Sequence, residues 1–189
     1  MLHQLLRPAF LIFAVTLPLW FLFRYFRRRY KKNENTEISA RQELLYFFCY
    51  IYFTCVLIIT VVPVPMTRSG NVNRINFLPI VTTTREFLYL VSHKKYFMIS
   101  HWMENTIGNV LLFIPLGIIL PLAFKYFDSF KKVILTSFLF SISIESIQFF
   151  STYFGSFRSV DIDDIILNTL GGFFGYIFKR SFTKKSIYK

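Results

Sequence analysis

This chain is poor in charge, and poorer in acidic charge than in basic. Charged residues fill 17% of its 189 positions, with ten Asp and Glu against twenty-two Lys and Arg. Beside 54% hydrophobic residues and twenty-five Phe, that excludes an ordinary water-soluble domain. Cysteine is nearly absent as well. Cys49 and Cys55 fall six residues apart inside one apolar run and read as small apolar side chains, not as a disulfide or a metal pair. Three histidines, His3, His93 and His101, give only an H-x7-H spacing, a poor start for a zinc site. There is no G-x-S-x-G, no H-E-x-x-H and no phosphate-binding loop, and no internal repeat or low-complexity stretch. The first apolar run has its basic residues after it and no A-x-A-like site, so it is expected to be an uncleaved anchor.

What the chain does have is long apolar runs. They predict an all-α polytopic membrane helix bundle with about five transmembrane helices, near residues 8–23, 44–62, 105–124, 133–150 and 162–178. Pro18 is a candidate kink in the first. Residues 33–43 form a polar loop, and Pro63-Val64-Pro65 ends the second span. The long connection 63–104 contains an aromatic segment at 85–102 that is too charged to span. It reads as an interfacial amphipathic or re-entrant element anchored by Tyr89, Tyr96 and Trp102. Fifteen Lys and Arg fall in 24–43, 125–132 and 179–189, against seven on the other side. The basic side belongs in the cytoplasm, which puts the N-terminus out and the C-terminus in. The net charge of +12 is therefore a topological signal, and no nucleic acid partner is expected. The run Arg27–Lys32 reads as a topology determinant rather than a specific lipid site.

The exceptions to apolarity gather in residues 141–175. Glu145 lies inside an apolar run, where a carboxylate costs about 2.5–3.5 kcal/mol or more, so it is expected to face the bundle interior. Glu145 and Gln148 share one helix face; Asp161, Asp164 and Asn168 share another. With the inferred orientation, Asn105 and Asn109 sit at the outer start of the third span. Glu145 and Asn168 then lie roughly 8–10 Å below the outer surface. These residues predict an outward-facing acidic and amide pocket, coverable by the loop 151–160 and the segment 63–104. Glu145 and Asp164, with Asp161 or Asp163, are candidates for an acid/base pair or a divalent-cation site. The plainer reading is structural: they hydrogen-bond Asn168, Gln148, Asn109 or Arg158 and hold three helices together. Arg158 suits either a lipid phosphate or an ion pair with an aspartate. Gly171, Gly172 and Gly175 read as a close-packing stripe, and Ser141, Ser143 and Ser146 as packing residues rather than nucleophiles. No metal and no cofactor are expected.

Four blocks carry a further signal: NRINFLPI (73–80), NTIGNVLLFIPLGIILPL (105–122), SIESIQFF (143–150) and RSVDIDDIILNTLGG (158–172). In order and spacing they resemble the VanZ-like membrane proteins over roughly residues 73–178. The first 70 residues carry no such pattern. With the apolar runs and basic segments, the resemblance divides the chain into three parts: residues 1–70 with two transmembrane helices and a basic loop, a VanZ-like domain at 71–178, and a basic tail at 179–189. It also implies a protein of the bacterial cytoplasmic membrane. The family's namesake is linked to reduced susceptibility to teicoplanin without remodelling of the peptidoglycan precursor terminus. The expected role is reduced susceptibility to teicoplanin-type lipoglycopeptides, or a related envelope process. The ligand would be a lipid-linked wall precursor, an anionic lipid headgroup or a lipoglycopeptide, held by Asn76, Asn105, Asn109, Glu145, Gln148, Arg158, Asp161, Asp164 and Asn168. The alternative is a membrane enzyme acting on an outer-leaflet lipid or wall precursor, with Glu145 and Asp164 as acid and base. A small transporter would need a polar path to the cytoplasmic half, which the sequence does not offer.

Overall fold

The computed structural model describes residues 2–33, 39–61, 75–76, 81–152 and 160–187. They are helical almost throughout, as the apolar runs require. In a bilayer every backbone N–H and C=O must be satisfied within the protein, and a helix does this within one segment. The chain divides into two units, Met1–Thr67 and Arg68–Lys189.

The first unit is a hairpin of α1 (Leu2–Asn33) and α2 (Ala40–Val61). Helix α1 runs unbroken through Pro18. Its aromatic side chains meet those of α2: Trp20 stacks on Tyr50 with ring centres 5.1 Å apart, and Phe23 meets Tyr46 edge-on. At the basic end of α1, Glu43 pairs with Arg24 at 2.9 Å and Arg28 at 3.5 Å. Arg27 lies over the Tyr46 ring at 3.5 Å.

The second unit contains α3 (Val81–Ser92), α4 (Tyr96–Ala123), α5 (Phe130–Thr152) and α6 (Ile162–Ile187). A single 3-10 turn, Lys125–Phe127, follows α4. One departure from helix is a two-residue parallel ladder between β1 (Ile75–Asn76) and β2 (Val160–Asp161). Helix α3 is about 18 Å long, too short for a ~30 Å hydrocarbon core. It buries Leu90, exposes Thr84, Arg85 and Glu86, and sets Phe87 against Trp102. The expected 85–102 segment is thus broken at Lys94, whose φ of 52° turns the chain into α4. Tyr96–Trp102 already belongs to α4, about 42 Å long, so its first turns extend beyond the apolar stretch that begins near Asn105.

Among the described residues four helices are long and apolar enough to cross a membrane: Ala9–Lys32, Ala40–Thr60, Tyr96–Ala123 and Phe130–Ser151. Helix α6 has the length but not the composition, because Asp163, Asp164, Asn168 and its basic end dilute the apolar residues. It packs against both α4 and α5.

Association in lipid depends on van der Waals packing more than on the hydrophobic effect, so small residues that admit backbone contact decide where helices meet. A Cβ on Gly117 would lie 2.2 Å from the Gly172 carbonyl oxygen. On Gly171 it would lie 2.2 Å from that of Val110, and on Gly175 2.1 Å from that of Ile114. The α4–α6 contact is therefore backbone against backbone. Phe113, Leu116, Leu120 and Val133 fill the space beside it.

Candidate functional site

The antiparallel packing of α5 on α6 sets two polar rows face to face. On α5 the row is Ser137, Ser141 and Glu145, spaced four apart; on α6 it is Gly172, Asn168 and Asp164, with the same spacing running the other way. A Cβ on Gly172 would meet Ser137 Oγ at 2.1 Å, so that pair is in tight contact. Ser137 satisfies its own hydroxyl by donating to the Val133 carbonyl. One turn up, Asn168 Nδ2 donates to Ser141 Oγ at 2.9 Å. Above that, Glu145 accepts from the backbone N–H of Asp161 at 3.3 Å.

At the head of α6 three aspartates have separate tasks. Helix α6 starts at Ile162, so Asp161 is its cap: Oδ1 accepts from the Asp163 N–H at 2.9 Å. Asp163 is buried and accepts from the Thr83 hydroxyl of α3. Asp164 accepts from Asn109 Nδ2 of α4. Two negative side chains in the first turn also suit the positive end of the helix dipole. The β1–β2 ladder adds Asn76, whose backbone pairs in register with Asp161. Segments from all four helices of this unit, and from β1, therefore converge on the first turn of α6.

The structure brings together Asn109, Glu145, Asp161, Asp164 and Asn168. Gln148, one turn beyond Glu145, is buried at 8% exposure. Asn105 lies exposed on α4, one turn before Asn109. Asn76 is placed through its backbone, and Arg158 lies outside the described residues, as does most of the expected covering loop 151–160. Two contributors were not among the expected ligands, Asp163 and Thr83. Asp163 was visible as a neighbouring acid; Thr83, 80 residues away in a threonine run, gave no signal.

The chemistry of the cluster follows from its burial. Glu145 is 5% exposed and Asn168 2% exposed, so each needs polar partners. Among the described residues Asn168 Oδ1 has none. Rotating the amide would only exchange which end is left over, since Ser141 reaches one end alone. Among the described residues no group of three or more His, Cys, Asp and Glu has the arrangement to hold a metal ion. His93 and His101 are both exposed; His93 lies against Tyr89, and His101 pairs with Glu104 at 3.7 Å. Ser143 and Ser146 bond carbonyls of their own helix, as packing residues do.

Residues 44–183 match the family model described as VanZ/LLP1. The match begins within α2, earlier than the motif blocks alone reach. Over 72 residues the chain is 39% identical to Protein VanZ of Enterococcus faecium. That covers 38% of this chain and 42% of the relative, so the chain spans less than half the length of that protein. No solved structure matches. With the match extending from α2 through most of α6, this membrane helix bundle belongs to the VanZ/LLP1 family.

Proposed function

We propose that this protein lowers susceptibility to teicoplanin-type lipoglycopeptides, or serves a related envelope process, by binding a lipid-linked or lipid-tailed ligand at the head of α6. It does so as a multi-pass protein of the bacterial cytoplasmic membrane, N-terminus out and C-terminus in. Helix α6 crosses with the bundle, and its first turn faces outward. The VanZ-like part carries the site, the first two helices anchor it, and the basic tail stays inside.

The observation that supports this reading best is the convergence of α3, α4, α5 and β1 on three adjacent carboxylates and a buried amide with one end unpaired. An unpaired buried polar atom costs about 1–3 kcal/mol, which a ligand group can recover. The carboxylates are also engaged in joining helices, with Asp164 on Asn109, Asp163 on Thr83 and Glu145 on the α6 entry. That favours recognition and positioning over acid–base catalysis, which needs a carboxyl group free to exchange its proton.

The test is the inhibitory concentration of teicoplanin and of vancomycin for a susceptible Gram-positive host. The host expresses either the natural chain or Asp164→Asn at equal membrane abundance. The natural chain is expected to protect against teicoplanin preferentially, and the isosteric amide to remove most of that protection. Equal protection by both, or none by either, would defeat the proposal.

A further inference from the structure

The first unit carries a groove between its two helices. Residues of α1 and α2 line a groove with a volume of about 710 Å³. Phe13, Leu17, Trp20 and Phe21 line it from α1, Leu44 and Phe47 from α2. At one end the lining changes character abruptly, to Arg24, Arg28 and Glu43. We propose that this groove binds one anionic phospholipid, its acyl chain along the aromatic wall and its phosphate on Arg24 and Arg28.

Three observations select that occupant. The first is length. From Phe13 to Arg28 the groove follows α1 for about 22 Å, more than the ~15 Å of hydrocarbon in one leaflet, so a chain lying in it carries its headgroup to the basic end. The second is charge. Arg24 and Arg28 are one helical turn apart and direct both guanidinium groups to the same rim, where Glu43 is the carboxylate that both approach. One carboxylate between two guanidinium groups leaves the rim positive, and a guanidinium fork matches a phosphate oxygen pair. Arg29 and Lys32 are exposed too but do not line the groove. The third is access. Arg24 and Arg28 side chains remain 37% and 57% exposed despite the ion pairs, so a headgroup can reach them. The proposal gives the basic end of α1 a specific task beyond setting topology.

Trp20 lines the groove and reports on it directly. The other tryptophan, Trp102, is removed as Trp102→Phe, and the full chain is placed in phosphatidylcholine vesicles. Increasing fractions of brominated phosphatidylglycerol or brominated phosphatidylcholine are then added. The brominated anionic lipid is expected to quench Trp20 at a several-fold lower mole fraction than the zwitterionic one. Arg24→Gln/Arg28→Gln is expected to bring the two curves together. Arg29→Gln/Lys32→Gln removes the same charge away from the groove rim and is expected to leave most of the preference in place. Equal quenching by both lipids in the parent protein would overturn the proposal without reference to any rim variant, because the groove would then take any acyl chain. Loss of the preference to the same extent in both double variants would overturn it too, since diffuse attraction would then suffice.

Discussion

Replacing Gly175 by Ala puts a methyl group where its nearest neighbour, the Ile114 carbonyl oxygen, is 2.1 Å away, while ordinary contact begins at 3.4 Å. That oxygen is main chain and cannot rotate aside. Helices α4 and α6 must therefore part by roughly 1 Å or bend, and overpacking of this kind costs about 1–3 kcal/mol. The upper end applies, because Gly117 and Gly171 hold the same pair of backbones together from either side. Alanine returns roughly 0.5–1 kcal/mol through its better helix propensity. The net loss is about 2 kcal/mol, or ~30-fold in the folding equilibrium. Gly108→Ala on α4 supplies the control, since a Cβ there meets nothing within 4 Å and gains only the propensity term. Unfolding of both variants in mild detergent, followed by denaturant titration, is expected to place Gly175→Ala well below the parent and Gly108→Ala at or slightly above it. Equal midpoints for the two variants would refute the backbone-contact account of this bundle.

Two further outcomes are expected, one from the packing of α5 on α6 and one from the distribution of Lys and Arg. Ser141→Ala removes the hydroxyl that Asn168 Nδ2 bonds, leaving a buried amide with neither end paired, and is expected to cost about 1–2 kcal/mol. Ser143→Ala, on the exposed face of the same helix, should change the unfolding midpoint little. A reporter fused after Lys189 is expected to read as cytoplasmic; an extracellular reading would invert the membrane orientation and with it the outward placement of the acidic cluster.

Helical periodicity made much of this legible in advance. Glu145 and Gln148 share a face and are both buried, and the glycine stripe at 171–175 is a close-packing surface. The spacing of Asp164 and Asn168 likewise turned both toward neighbouring helices, one to Asn109 and one to Ser141. The same periodicity misassigned Asp161. Counting it in step with Asp164 assumes that the helix already runs there, whereas α6 begins one residue later and the Asp161 side chain bends back to cap it. Contacts between distant segments left no local trace: Thr83 with Asp163, and Ile75-Asn76 with Val160-Asp161, depend on tertiary placement alone. The third span, expected from Asn105, belongs to a helix that begins at Tyr96: the charge of segment 85–102 argues against a span there, yet exposed polar residues can continue a helix beyond the apolar core.

Recognition of a lipid-tailed ligand at the head of α6 is tested most directly by binding. The natural chain and Asp164→Asn would be reconstituted in nanodiscs, their unfolding midpoints matched, and each titrated with fluorescently labelled teicoplanin. Saturable binding to the natural chain, weakened about tenfold or more in the variant for the ~1.4 kcal/mol or more of a charge-assisted bond, is the predicted result. Equal affinity for both proteins, or no saturable binding to the natural chain, would contradict the claim.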